Sequence, residues 1–297
     1  MITSEQRGGI KDLPSIDTLV DDIYDVIQGK GGWDEAVAVY HKDLFSATLM
    51  DRLGPKDSVY SRGGLRLSNI GESCERKLWY DVNDPDGQEE LRPNTLFKFL
   101  YGDMLEDLVI ALAVAAGHKV EGLQTRLEID GIVGHRDVVI DGMVIDVKSA
   151  SPVGFKKFEA NGLREDDGFG YLPQLTNYLY ASQDDPVVTV KDKAGFLAVD
   201  KVNGHICLDV YNLTQDMVSL EDRISYRKKM VEGEMPMERI PPVDHQKGGN
   251  KQLAVKCRYC GHKEKCWPLL RTFIYSTGPV FLTKTVKVPN VPEVTKA

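Results

Sequence analysis

The stretch Gly134-His135-Arg136-Asp137-Val138-Val139-Ile140-Asp141-Gly142-Met143-Val144-Ile145-Asp146-Val147-Lys148 leaves the chain little choice of local fold. Two β-prone runs flank Asp-Gly, a dipeptide that accepts the positive φ angles of a two-residue hairpin turn. The turn sets the register: Ile140 opposite Met143, Val139 opposite Val144, Val138 opposite Ile145, and Asp137 opposite Asp146. Alternation then puts Lys148 on the face of Asp146 and turns Val138, Ile145 and Val147 toward apolar packing. Carboxylates placed opposite one another destabilise a bare sheet. A hard cation with oxygen ligands converts that repulsion into attraction, and Mg²⁺ is the usual occupant of carboxylate sites beside phosphate. By themselves, the residues also allow an ordinary hairpin with its charges on a solvated face.

The rest of the chain fits an α/β protein. Of its 297 residues 42% are hydrophobic and 28% charged, enough for one sizeable core with an appendage. Ser15 can cap a helix carrying Ile16, Leu19, Val20, Ile23 and Ile27 at helical spacing, and a second helix is expected over 34–53. A long helix capped by Asn94 should run to about Gly117 and, being apolar almost all round from Leu105 to Ala116, should be buried. Strands are expected at 119–129, 132–140, 143–149, 194–200 and 205–212, with helices from the Pro173 region to Ala181 and over 215–232. These elements suggest a helical segment at 1–62, a main domain at 63–273 and an extended polar tail at 274–297.

The net charge of -8 argues against a protein that coats nucleic acid by bulk charge, but leaves room for a local basic groove. The longest apolar run, Leu108–Ala116, is too short to span a bilayer and Met1–Lys11 has no leader pattern, so a cytoplasmic setting is expected. Three of five cysteines (Cys257, Cys260, Cys266) crowd one stretch, a pattern that in a reducing compartment favours metal over disulfides. Cys207, alone on an expected strand, reads as a small buried residue.

Asp137 followed across a hairpin by Asp146-Val147-Lys148 resembles the core motif of the PD-(D/E)xK nucleases, and the order of further elements resembles their RecB-like exonuclease branch. Gly102 and Glu106 fall on the helix before the hairpin. Gln174 and Tyr178 fall on the helix after it, like that branch's Gln-x-x-x-Tyr. The resemblance covers about residues 65–270. It implies a restriction-endonuclease-like core with a central mixed sheet flanked by helices, and Mg²⁺- or Mn²⁺-dependent hydrolysis of DNA from single-stranded or duplex ends. Glu106, Asp137, Asp146 and the Val147 carbonyl would hold the ion, with Lys148, Gln174 and Tyr178 catalytic. Relatives often carry His where this chain has Glu106, which also reads as a helix carboxylate reaching solvent. Gly102 would let another backbone approach. Tyr178 on its own reads equally as core.

Cys74 before the core and Cys257, Cys260 and Cys266 after it resemble the iron–sulfur members of that branch, which include CRISPR-associated nucleases and phage exonucleases. A four-iron four-sulfur cluster is thereby implied, with Zn²⁺ or free thiols as alternatives. Arg76, Lys77, Trp79 and Tyr80 mix charge with aromatic faces as single-stranded DNA binding would require, although Trp79 beside Leu78 also suits a core. Arg223, Arg227, Lys228 and Lys229 could line the same groove or form a solvated helix face. The segment Gly170–Leu175 looks more like phage relatives, for which the resemblance implies end resection alongside replication and recombination proteins. An idle nuclease fold that only binds DNA and an iron–sulfur redox or sensing protein are the rival readings.

Overall fold

In the computed structural model, residues 14–55, 63–91 and 93–294 are described. Parts of the expected N-terminal segment (1–13 and 56–62) and the last residues of the expected tail (295–297) lie outside the described residues.

The hairpin register holds where the turn dictates it. Strands β1 (Val120–Glu121), β2 (Thr125–Ile129), β3 (Ile132–Arg136), β4 (Val138–Ile140) and β5 (Met143–Ala150) follow one another. β4 and β5 pair as Ile140–Met143, Val139–Val144 and Val138–Ile145. Asp141 and Gly142 both have positive φ, 50° and 80°, as the turn requires.

The pairing stops before Asp137. The expected strand 132–140 breaks there, with β3 leaving to pair with β2 in a two-stranded sheet of its own. The expected strand 119–129 is likewise broken, at the turn around Gly122–Gln124. Gly122 is confined to glycine by φ +58° and by the buried Arg136 guanidinium, which would lie 2.4 Å from a Cβ there.

The central sheet has the order β1-β4-β5-β6-β7, where β6 is Lys193–Asp200 and β7 is Ile206–Asn212. β5 and β6 run parallel and the other neighbours antiparallel, so the sheet is mixed. Helices α1 (Leu19–Ile27), α2 (Glu35–Leu53), α3 (Glu75–Asn83), α4 (Pro93–Ala115), α5 (Pro152–Glu159), α6 (Tyr171–Ala181), α7 (Thr214–Val218) and α8 (Leu220–Glu232) complete this part of the chain. One sheet face packs Val138, Ile140, Ile145 and Val147 against Leu19 and Ile23 of α1 and Val109 and Ile110 of α4. On the other face Val139, Val144 and Phe196 pack against α5 and α6 through Phe155, Phe158, Leu175 and Tyr178. The mixed sheet flanked by helices is therefore as expected, while several element details differ. Pro93, which needs no helical N–H partner, opens α4, so Asn94 lies inside that helix rather than capping it. None of the described helices is long and apolar enough to cross a membrane.

Two domain assignments need correction. The N-terminal helices are no appendage: Leu19 and Ile23 are fully buried in the main core, and the Ile206 N–H donates to the Tyr24 hydroxyl at 2.8 Å. At the other end, β8 (Val243–His245), β9 (Asn250–Gln252), β10 (Arg271–Tyr275), β11 (Gly278–Lys284) and β12 (Glu293–Val294) form a second sheet, ordered β12-β10-β11-β9-β8. β10 and β11 pair across the expected boundary at 273, around the fully buried Phe273. The short helices α9 (Val255–Arg258) and α10 (Lys263–Cys266) interrupt this sheet and carry Cys257 and Cys266. Short polar strands separated by prolines hide the alternation that would announce such a sheet.

If α1 belongs to the core, Ile23→Ala should cost about 2–5 kcal/mol by transfer and cavity terms, read as a lower urea midpoint. A loss below about 0.5 kcal/mol, as at a surface site, would restore the appendage.

Candidate active site

Asp146 sits on β5 between β4 and β6, 1% exposed. Alternation along β5 turns Asp146 and Lys148 toward the α6 layer, where the Lys148 ammonium is ion-paired with Asp146 and lies 5.3 Å from the Tyr171 ring centroid. Gln174 Nε2 donates to Asp146 Oδ1 at 3.4 Å and to the Tyr178 hydroxyl at 3.0 Å. The two residues meet as the i, i+4 spacing foretold, and Tyr178 is both a site neighbour and a buried core residue.

Asp137 reaches the site by another route than the expected cross-strand pair. At the break its carboxylate replaces the missing ladder acceptor and receives the Val147 N–H at 2.9 Å. The main-chain carbonyl of Asp137 accepts the Gln124 N–H at 2.9 Å. Gln124, at φ +44°, turns its amide back to donate to Glu106 Oε1 at 2.8 Å and also hydrogen-bonds Asp137. It links two of the carboxyls and was missed in the sequence, because a strand through 119–129 leaves no place for such a turn. Gly102 admits a side chain rather than a backbone: a Cβ there would lie 3.0 Å from Ser149 Oγ.

The acids perturb one another's titration. Burial, then the charges of Asp137 and Asp146, push Glu106 up to about 9. Burial and Asp146 push Asp137 up to about 7. The two carboxylates overcome the cost of burying Lys148 and hold its ammonium above its ordinary range, and burial with the Asp146 charge raises Tyr178. One ammonium thus faces three carboxyls that cannot all ionise comfortably at neutral pH. Among the described residues, no three His, Cys, Asp or Glu side chains form a ready-made set of metal ligands. The donor chemistry here, all oxygen with excess negative charge, nevertheless suits a hard cation.

Cys74, Cys257, Cys260 and Cys266 line one cavity but, among the described residues, likewise form no ready-made ligand set. Cys74 caps α3. Burial raises the Cys74 thiol, and burial with the neighbouring thiols pushes Cys257 up to about 12. Cys260 rises to about 11, again chiefly by burial. Asp81 ties the two segments together, accepting from Lys77 at 2.7 Å and meeting His262 Nε2 at 2.9 Å. Cys207 on β7, expected to be buried, is only half-buried against the core.

The residues assigned to DNA binding have internal work instead. Arg76 is buried and donates to the Pro236 carbonyl at 3.0 Å. Lys77 is paired with Asp81 and Glu72, the Trp79 indole donates to the Gly233 carbonyl at 2.9 Å, and Tyr80 stacks on His262 with centroids 5.1 Å apart. In the second basic run Arg223 donates to Asn177, Arg227 pairs with Glu75 and Lys228 with Asp130, while Lys229 is exposed. Charge beside aromatic residues reads alike whether it faces solvent or a packed helix pair.

No protein family model matches the chain, and no curated protein matches it. Solved structures that resemble it include a phage-related exonuclease from Haemophilus somnus 129PT, at 17% identity and TM-score 0.42, over 58% of this chain and 95% of that one. Another is SSO0001, at 13% identity and TM-score 0.38, over 76% of this chain and 95% of that one. Both likenesses are weak.

The crowded acids set a pH dependence for the protein in chelator. Glu106 and Asp137 have folded-state pKa values above their unfolded ones, so the folded state holds more protons and stability falls as pH rises. The fall should extend from the ordinary carboxylate range through about 7 for Asp137 and about 9 for Glu106. Glu106→Gln should flatten the profile and be more stable than wild type at alkaline pH in urea melts. Parallel profiles for the two proteins would show that the acids do not interact.

Proposed function

We propose that the chain is a metal-dependent deoxyribonuclease of the PD-(D/E)xK type, acting on DNA ends. The observation that carries this reading is the convergence of Glu106, Asp137 and Asp146 on the Lys148 ammonium, with Gln174 and Tyr178 closing the site from α6. Asp137, Asp146 and Glu106, with the Val147 carbonyl, would hold Mg²⁺ or Mn²⁺. When bound, the cation supplies Lewis acidity to the scissile phosphate and balances its charge.

The chain's own groups do the rest. The Lys148 ammonium, fixed by Asp146, donates to the attacking water or to a phosphate oxygen as charge builds up there. With no cation bound, the Asp146 and Asp137 charges hold it protonated. The Gln174 amide holds Asp146 and the Tyr178 hydroxyl in place, and so acts as a positioning residue.

The four cysteines hold a four-iron four-sulfur cluster in this reading, with Zn²⁺ as the alternative; four sulfur donors lining one cavity support a bound group of that chemistry. Its role is to tie α3 to the α9–α10 segment across a very long loop. The biological setting that suits the reading is resection of DNA ends in phage replication or recombination.

The experiment is cleavage of end-labelled single- and double-stranded linear DNA by anaerobically purified protein with Mg²⁺ or Mn²⁺, beside Asp146→Ala. Stepwise loss from an end, abolished in a variant that still melts cooperatively, is the expected result. DNA binding without cleavage by folded, fully loaded wild type would leave an idle fold.

Cys260→Ala should lower the melting temperature by several degrees, and the ultraviolet–visible spectrum of the purified wild type should show the iron–sulfur charge-transfer band that the variant loses. A colourless, zinc-free wild type as stable as the variant would remove the bound group.

A further inference from the structure

A row of aromatic rings, exposed at its outer end, leads away from the candidate active site. Lys148 lies against Tyr171, whose centroid is 5.7 Å from that of Phe169, and Phe169 is 6.2 Å from Tyr259. Tyr171 is seated on Phe158 and Phe196, which fix its inner edge. Outward from it, Phe169 is 52% and Tyr259 76% exposed. A single exposed ring is ordinary, whereas two exposed rings in contact at the end of a row running to a site are not.

The loop holding Phe169 is built. Asp167 accepts the N–H groups of Tyr171 and Leu172 at 2.8 and 2.9 Å, and Gly170 turns the chain at φ +77°. Tyr259 lies between Cys257 and Cys260, so whatever holds those thiols also holds this ring.

From this geometry, and resting on the nuclease reading above, we infer that the row is the path of single-stranded DNA, with successive bases stacking on Tyr259 and Phe169 and passing Tyr171 on the way to Lys148. A duplex hides its base faces, so it would find nothing to stack on here. Unpaired bases each offer a π-face, and ring stacking needs no phosphate contact. The cysteine segment thereby gains a function beyond tying the chain together: it sets one ring of the track.

The test is fluorescence anisotropy of a labelled oligothymidylate in chelator, with the full chain bearing Phe169→Ala, Tyr259→Ala or both. Each single change should weaken binding about fivefold or more, and the pair further, because one stacked base contributes at least about that factor. Phe169→Tyr and Tyr259→Phe should stay within about twofold of wild type, and the salt dependence should be the same in all, since no phosphate contact is lost. Cooperative urea melts with the wild-type midpoint report that the alanine variants fold.

Wild-type affinity in the double variant would overturn the track, as would a wild type that cleaves DNA without measurable single-strand binding; both leave the nuclease reading standing. Row-dependent binding by a protein that cleaves nothing would keep the track and remove the nuclease. Neither binding nor cleavage would remove both.

Discussion

Three carboxyl groups share one partly buried corner with a single ammonium, and several irregular features of the chain exist to make that arrangement possible. The strand break at Asp137 frees its carboxylate from the ladder and lets it receive the Val147 N–H. Gln124, in a left-handed conformation, reaches Glu106 on the α4 layer, and α6 brings Gln174 from the opposite layer onto Asp146. A sheet built for stability alone would pair Asp137 with an uncharged partner and keep the strand whole. Like-charge crowding of this kind is costly unless a cation balances it.

Much of this was legible in the sequence, and the limits are instructive. The Asp-Gly turn fixed three residue pairs because its geometry is local, and the i, i+4 spacing of Gln174 and Tyr178 fixed their meeting for the same reason. The fourth pair, Asp137 with Asp146, failed because a tertiary acceptor, the carbonyl and carboxylate of Asp137, was worth more to Gln124 and Val147 than ladder continuity. Arg76 and Tyr80 were misread because burial is not written in residue type: their mixture of charge and aromaticity serves the packing of α3 on the cysteine segment. Phe169 and Tyr259 carried no signal because they lie far apart in the chain.

The acidic site and the cysteine cavity are joined by more than chain connectivity. Tyr171 begins α6 beside Lys148, and Phe169 just before it meets Tyr259 from the α9 turn. A shift of the cysteine segment would therefore be felt at Phe169 and Tyr171, beside Lys148. This gives a physical reason for a cysteine segment that returns to the front of the core after the second sheet has begun.

The most direct measurement of the central claim is calorimetric titration of the apo-protein with Mg²⁺ or Mn²⁺ near neutral pH, in buffers of different ionisation enthalpy. If the cation binds among Glu106, Asp137 and Asp146, it must displace protons that burial and crowding have kept on the first two, so binding should be accompanied by proton release that Glu106→Gln diminishes. Binding without any proton release, or no binding at all by the folded protein, would contradict the account.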